Sequence, residues 1–342
     1  MTISTVNVRD HSLDNLKCVL IFSVVFAHLL EVCTPFKEKW PLYQLIYTFH
    51  MPAFLFLFGY HVKYSPKRIV YRWCFPYVVF QSIYLLFSRY ILNNSAVFQF
   101  TTPYWLLWYM LACIFYQLLL PLFDLKEKHG QVLALLCVTA LSFLVGFDDS
   151  IGYYLSLSRF FVFQPWFLLG YYCKKNRILE LLNTRKKSRH TMALLSSVMI
   201  IFSVGFLNHA KIPNGLLYGS YSYSNCNGTI GMRAAIFVIA FCWIVFLVAG
   251  IKPVLQNQII FLSRIGQYSL PVFLLHGFVV KGIPVYWPGL LSSPLRVVLL
   301  TCFVLIVLGN ELVHKVIYYC SFMWLEKIKY NALEEKSDNV IL

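Results

Sequence analysis

The stretch "LDNLKCVLIFSVVFAHLLEVC", residues 13–33, decides the class of fold. It is an apolar run of about 20 residues, the length that a helix needs to cross a lipid bilayer. It also carries four ionisable side chains, Asp14, Lys17, His28 and Glu31. The stretch therefore predicts a membrane-spanning helix that has one polar face.

The composition of the whole chain is that of a membrane protein. Of the 342 residues, 59% are hydrophobic and 13% are charged, whereas a soluble domain has about 45–50% apolar and about 25% charged residues. The apolar runs are continuous rather than alternating, a pattern that favours spanning helices. We expect an all-α, polytopic integral membrane protein in a lipid bilayer.

Apolar runs recur along the chain and predict about ten transmembrane helices in a single domain over residues 1–342. Their approximate ranges are 15–34, 42–62, 73–92, 104–123, 130–147, 153–173, 191–208, 229–250, 268–288 and 295–322. Residues 323–342 follow them as a charged tail.

The basic residues separate the two sides of the membrane. The chain has 29 basic and 14 acidic residues, and the basic ones concentrate in alternate connections between the predicted spans. Cytoplasmic connections carry such an excess, so we expect both termini and the tail to be cytoplasmic in a cell (inner or plasma) membrane protein. This distribution in short loops does not favour a nucleic-acid partner. The ten cysteines form no CxxC pair, so no metal site is expected.

The four ionisable residues of the first span share one face. A helix turns by about 100° per residue, which places Asp14, Lys17, His28 and Glu31 within an arc of about 100°. Lys17 and His28 are separated by a rise of about 16 Å along this face. Ionisable groups at such depth usually face the bundle interior or a water-filled cavity.

Each of these groups has a chemical and a purely structural interpretation. Imidazole suits the removal of a proton from a hydroxyl near neutral pH, so His28 is a candidate general base and Glu31 a candidate to orient it. Lys17 is a candidate binder of a phosphate or another anion near the cytoplasmic end. The structural alternatives are an interhelical hydrogen bond for His28 and an interfacial ion pair between Asp14 and Lys17.

Five motifs in order resemble those of one enzyme family. The Lys-x10-His spacing of Lys17 and His28 is similar to the Arg/Lys-x10-His motif of the membrane acyltransferase 3 family. Four further stretches resemble segments of its fucose 4-O-acetylase-like branch: "FHMPAFLFLFGY" (49–60), "YWLLWYMLACIFYQLLLPLF" (104–123), "SRFFVFQPWFLLGYY" (158–172) and "IGQYSLPVFLLHG" (265–277).

The resemblance implies a membrane O-acyltransferase. Such an enzyme moves an acetyl group from cytoplasmic acetyl-CoA to a hydroxyl of a cell-surface polysaccharide or its lipid-linked precursor. By position, His28 is the catalytic histidine and Lys17 its motif partner. The chain departs from the family pattern where Phe58 precedes Gly59 instead of serine, and where Lys17 replaces the more frequent arginine.

The resemblance also suggests where the two substrates bind. His50, which begins the second span, is expected to line the acceptor side of the cavity that His28 reaches. Arg159, in the sixth span, is expected either to pair with Glu31 or to bind an acyl or sugar oxygen. His276 is expected to make a packing or cavity hydrogen bond. Four cations after the second span mark the cytoplasmic side and are also candidates to bind CoA phosphates: Lys63, Lys67, Arg68 and Arg72.

Two aromatic features lie on the predicted outer side. Residues 209–228, "HAKIPNGLLYGSYSYSNCNG", offer either stacking faces and hydroxyls to a sugar or only an ordinary wet loop. Trp105 and Trp108 are expected in the aromatic belt at the membrane interface.

The alternative to an acyltransferase is a transporter or flippase of glycan intermediates. A transporter also places polar groups in its interior, near broken helices. It has no need for Lys17 and His28 together, so the sequence favours the enzyme.

Overall fold

The structure is a computed structural model that describes residues 11–33, 41–94, 97–257 and 259–326. All regular structure within these ranges is helical. The predicted tail falls mostly outside them, because residues 327–342 are not among the described residues.

Nine helices of the described chain have 16 or more residues and form most of the bundle. They are α1 (His11–Glu31), α2 (Pro41–His61), α3 (Pro66–Ile91), α4 (Trp105–Phe123), α5 (Lys128–Phe147), α6 (Leu157–Lys175), α8 (Lys186–Ala210), α11 (Ile230–Val254) and α13 (Ser269–Tyr286). Six shorter helices complete the set: α7 (Ile178–Thr184), α9 (Asn214–Tyr218), α10 (Tyr223–Cys226), α12 (Ile260–Gln267), α14 (Pro294–Leu308) and α15 (Glu311–Cys320).

The helices confirm an all-α polytopic membrane protein. Within the described ranges, eight are long and apolar enough to cross a membrane, and the pair α14 and α15, bent by 64°, makes a ninth if it counts as one span. Helix α6 corresponds in sequence to the sixth predicted span. It is not one of the eight apolar helices, because polar residues such as Arg159, Gln164 and Lys174 lower its hydropathy.

Helix α1 lies at the centre of the bundle, and α8 lies at its surface. In the apolar window of α1, 72% of the residues are buried inside the protein, against 22% in α8. The apolar side chains that α8 exposes suit contact with lipid. The helix that carries the ionisable face, α1, therefore lies at the centre of the bundle.

Helices α2 and α6 approach each other very closely at two glycines. A Cβ atom added to Gly59 would collide with the carbonyl oxygen of Phe167, and one added to Gly170 would collide with that of Phe56. Small residues allow such close contact between membrane helices. This contact sets the position of Arg159 on α6 relative to His50 on α2.

Two helix ends differ from the predicted spans. Helix α3 begins at Pro66, where the Ser65 hydroxyl accepts a hydrogen bond from the Arg68 amide, rather than near residue 73. The last predicted span, 295–322, is broken after Gly309, and the Asn310 side chain caps α15 by accepting a hydrogen bond from the Val313 amide. Serine and asparagine are preferred at helix N-termini because they satisfy such free amides.

Candidate active site

Three polar groups meet where α1 and α2 lie side by side. The Nδ1 atom of His28 is 3.4 Å from Oε2 of Glu31, one turn further along α1. The hydroxyl of Tyr47, on α2, is 3.2 Å from the same Nδ1 and donates a hydrogen bond of 3.3 Å to the same Glu31 oxygen. Glu31 therefore lies where the sequence expected a group that orients His28.

These contacts distinguish the two nitrogens of His28. An ionised carboxylate only accepts hydrogen bonds, so we assign the ring hydrogen to Nδ1, which faces Glu31. The other nitrogen, Nε2, then keeps its lone pair. A neutral imidazole held in this way presents Nε2 as the atom that takes a proton or attacks an electrophile.

Two further rings hold the imidazole of His28 in place. Trp105 lies edge-on to it with ring centroids 4.6 Å apart, and His276 is stacked on it at 5.4 Å. His276 is fully buried, and its Nδ1 donates a hydrogen bond of 2.9 Å to the carbonyl of Val272. The Nε2 atom of His276 has no hydrogen-bond partner among the described residues. His276 thus makes the expected hydrogen bond and also packs directly against His28.

His28 opens into a cavity of about 310 Å³, which we call the His28 cavity. Its walls come from α1, α2, the beginning of α4, α6 with the segment before it, and the loop around α9. They include His28, Glu31, Tyr47, His50, Met51, Trp105, Trp108, Tyr153, Arg159, Tyr218 and Tyr221. Both tryptophans, expected in an interfacial belt, line this cavity, and so do two tyrosines of the loop 209–228.

His50 lies in this wall, but in the middle of α2 (Pro41–His61) rather than at the beginning of the span as expected. The side chain is 1% exposed, and its Nδ1 donates a hydrogen bond of 2.7 Å to the Ile46 carbonyl. Its ring is perpendicular to that of Tyr47, with centroids 4.9 Å apart. The Nε2 atom of His50 is therefore a hydrogen-bond acceptor.

Arg159 contributes a cation to the same cavity without an ion pair. Its Nε donates a hydrogen bond of 3.1 Å to the Tyr218 carbonyl, and Nη2 is 3.4 Å from the Ser220 hydroxyl. The guanidinium lies 5.1 Å from the ring centre of Trp108 and 5.3 Å from that of Tyr153. Among the described residues no carboxylate lies within ion-pair distance, so the expected alternative of a pair with Glu31 is not formed.

The loop tyrosines contribute neutral hydroxyls to the cavity. A hydrogen bond with Tyr153, together with burial, raises the pKa of Tyr221 to about 12. Burial also raises the pKa of Tyr218 above its usual value. Both phenols are therefore protonated near neutral pH and act as uncharged hydrogen-bonding groups.

A second cavity, of about 450 Å³, begins near Lys17, and we call it the Lys17 cavity. Lys17 is 3.5 Å from Asp14, so the ion pair foreseen as an alternative is present at the edge of this cavity. The other cations in its wall are Lys63, Arg68 and Arg72, whereas Lys67 is exposed and lies outside the lining. Arg68 and Arg72 both contact the carboxylate of Glu326, which follows α15.

The two cavities follow the same face of α1. Lys17, Ile21 and Val24 line the Lys17 cavity, and His28 and Glu31 line the His28 cavity. Among the described residues, Met51 of α2 is the only one that lines both. The polar face predicted for α1 thus borders cavities along its length.

A helical membrane protein in which a partly buried histidine and carboxylate line a cavity inside the bundle has the features of a membrane-embedded enzyme. The sequence matches the family model described as an acyltransferase domain, that of the acyltransferase 3 family, over residues 10–308. The chain belongs to this family and is a membrane acyltransferase, so the transporter alternative is not retained. No curated protein and no solved structure matches the sequence.

Several groups at the site were not identified as site residues from the sequence. They are Tyr47, Met51 and Tyr153, together with Arg233, which lies outside the cavity lining and donates hydrogen bonds to the carbonyls of Ser142 and Tyr221. Tyr218 and Tyr221 belong to the loop 209–228, which the sequence offered as a possible sugar-binding loop. Tyr47 lies one turn from His50 on α2, and this spacing was an available signal. Arg233, a buried cation in an apolar helix, was another.

Proposed function

We propose that this acyltransferase moves an acetyl group from cytoplasmic acetyl-CoA to a hydroxyl of a cell-surface polysaccharide or its lipid-linked precursor. One observation carries the proposal: His28 lines one cavity, while a second, cation-lined cavity runs from Lys17 along the same face of α1, and Met51 lines both. The resemblance to the fucose 4-O-acetylase-like branch supports the choice of acetyl group and glycan.

The Lys17 cavity is the proposed donor site. CoA carries anionic phosphates, and four cations border this cavity: Lys17, Lys63, Arg68 and Arg72. Arginine binds phosphate through paired hydrogen bonds, and lysine binds it as a point charge. The apolar walls formed by Ile21, Val24 and Phe54 suit the uncharged arm that carries the thioester.

The His28 cavity is the proposed acceptor site. Its aromatic walls and neutral tyrosine hydroxyls offer stacking faces and hydrogen bonds, the contacts that a sugar ring uses. Arg159 and His50 add one hydrogen-bond donor group and one acceptor. A volume near the lower end of the usual range for ligand sites fits a short saccharide segment rather than a folded polymer.

The transfer step uses the Nε2 atom of His28. The acceptor hydroxyl gives its proton to Nε2, its oxygen forms a bond to the thioester carbonyl carbon, and the carbon–sulfur bond breaks. The departing CoA thiolate then takes the proton from Nε2, so the products are an acetyl ester and CoA. In the second scheme Nε2 forms a bond to the thioester carbonyl carbon and the carbon–sulfur bond breaks, which releases the CoA thiolate. The acceptor oxygen then bonds to the acetyl carbon as the bond from that carbon to Nε2 breaks, and the hydroxyl proton passes to the thiolate. Glu31 holds Nδ1 in either scheme.

The proposed orientation places the Lys17 cavity on the cytoplasmic side of the cell membrane. The basic residues near its opening favour this orientation, with both termini cytoplasmic. The acceptor would then reach the His28 cavity from the opposite side.

The experiment supplies labelled acetyl-CoA to membranes that contain the wild type or His28→Ala, and measures label in extracted glycan. We expect the wild type to label the glycan and His28→Ala to lower the rate by about 100-fold or more. His129→Ala, which removes an exposed histidine at the start of α5, is the matched control and is expected to retain activity. Equal labelling by His28→Ala and the wild type would refute the assignment of His28.

A further inference from the structure

Met51 separates the two cavities, and its position is defined on both neighbouring helices. On α2, Tyr47 and His50 precede it and line the His28 cavity, whereas Phe54, one turn after it, lines the Lys17 cavity. On α1 the same division falls between Val24 and His28. Met51 therefore lies at the one level where the linings of both cavities meet.

We propose that Met51 is the specificity-determining residue for the acyl group, because it limits the size of the chain that passes from the Lys17 cavity to His28. This inference rests on the proposed function. It assigns to the site a preference for acetyl over longer acyl groups.

The geometry of a thioester makes Met51 the first obstacle for the acyl chain. The CoA part stays among the cations of the Lys17 cavity, so the acyl end leads toward His28. Val24 and His28 are one turn apart, a rise of about 6 Å. The acyl chain must consequently pass the Met51 side chain before its carbonyl carbon comes within reach of Nε2.

A methionine side chain suits a narrow passage that a small acyl group can still cross. Its side chain is unbranched with three rotatable bonds, so it can change rotamer where a branched residue cannot. Met51 is only half-buried, with open space on two sides. A two-carbon acyl group then passes with a small displacement, whereas each added methylene has to be accommodated against the same side chain.

The test compares acetyl-CoA with butyryl-CoA as labelled donors for membranes that contain wild type, Met51→Ala or Met51→Leu. One methylene in a tight pocket changes kcat/KM by about 10–200-fold, so we expect the wild type to prefer acetyl by about 100-fold or more. Met51→Ala is expected to lower this preference at least about tenfold, through a gain of butyryl transfer. Met51→Leu conserves volume and is expected to keep the preference.

A gain of butyryl transfer cannot result from misfolding. Met51→Phe supplies the opposite change: a bulkier side chain is expected to lower butyryl transfer more than acetyl transfer. If the wild type transfers acetyl but Met51→Ala keeps its preference for acetyl, the role of Met51 is refuted while the proposed function stands. If the wild type transfers neither group, both proposals are refuted.

Discussion

The two nitrogens of His28 have different surroundings, and this difference defines what the ring can do. Nδ1 faces the Glu31 carboxylate and the Tyr47 hydroxyl, at 3.4 and 3.2 Å. The ring itself packs against both Trp105 and His276, which also contact each other. A ring fixed in one orientation and one tautomer loses less freedom when it reacts, which is the advantage of a preorganised base.

Removing the charge from Glu31 tests this arrangement at the residue scale. Glu31→Gln keeps the size of the side chain but offers Nδ1 a weaker acceptor, so we expect kcat to fall by about 100-fold while the KM for acetyl-CoA stays the same. Tyr47→Phe removes a hydrogen bond to the Glu31 carboxylate but leaves the contact between Glu31 and Nδ1, so it is expected to cost only about tenfold. Steady-state kinetics on purified protein would measure both, and an unchanged kcat for Glu31→Gln would exclude its positioning role.

The sequence predicted the part of this site that lies on one helix. Lys17, His28 and Glu31 share a face because helical spacing requires it, and their positions on α1 follow from the sequence alone. His276 is 248 positions from His28 in the chain, and no local pattern indicates that their rings stack. The position of Met51 between the two cavities could not be predicted either, because it depends on how the helices pack against each other.

At the scale of elements, the contact between α2 and α6 determines the shape of the His28 cavity. His50 and Met51 come from α2, and Arg159 comes from α6. The glycines at positions 59 and 170 permit the close approach of the two helices. Larger residues there would separate the walls of the cavity.

Gly59→Ala is therefore expected to destabilise the protein. The added methyl group would collide with the Phe167 carbonyl, and overpacking of this kind costs about 1–3 kcal/mol in the free energy of unfolding. Thermal unfolding in detergent, followed by tryptophan fluorescence, should show a lower Tm. Gly205→Ala is the control, because a Cβ at that position on α8 meets nothing within 4 Å. An equal Tm for Gly59→Ala and the wild type would contradict the packing described here.

The segment after α15 lies over the cations proposed to bind CoA. Glu326 accepts hydrogen bonds from Nε of both Arg68 and Arg72, and Met323 lines the Lys17 cavity. A CoA phosphate bound to these arginines would have to displace the carboxylate. The Glu326 carboxylate would therefore compete with the donor phosphate for Arg68 and Arg72.

Glu326→Gln removes this competition. Partly exposed ion pairs of this type are weak, so we expect the Kd for CoA to decrease by only about threefold to tenfold, as measured by isothermal titration calorimetry. Glu180→Gln breaks an exposed ion pair with Arg177 away from the cavity and should leave the Kd unchanged. A weaker affinity for CoA in Glu326→Gln would show that the carboxylate supports the donor site.

The element boundaries show why some helices were easier to predict than others. Apolar length located most spans, but it placed the start of α3 too late because Lys67, Arg68 and Arg72 reduce the hydropathy of its first turns. The Ser65-Pro66 pair was the missed signal for a helix start. Gly309 and Asn310 likewise marked the break between α14 and α15 inside a long apolar run.

At the scale of the whole molecule, two cavities meet at Met51, and His28 lines one of them. The Lys17 cavity has cations at its opening, and the His28 cavity has aromatic walls with a single arginine. This separation would let the proposed donor and acceptor approach His28 from different cavities. Composition predicted a membrane protein, but only the packed bundle reveals the two cavities.

The most direct test of this account supplies labelled acetyl-CoA to sealed membrane vesicles of known orientation. Its phosphates prevent acetyl-CoA from crossing a bilayer, so it reaches only the side that faces the medium. We predict that label enters the acceptor in inside-out vesicles, where the Lys17 cavity faces the medium, and that right-side-out vesicles remain unlabelled. Labelling of right-side-out vesicles alone, or of both orientations equally, would contradict the account.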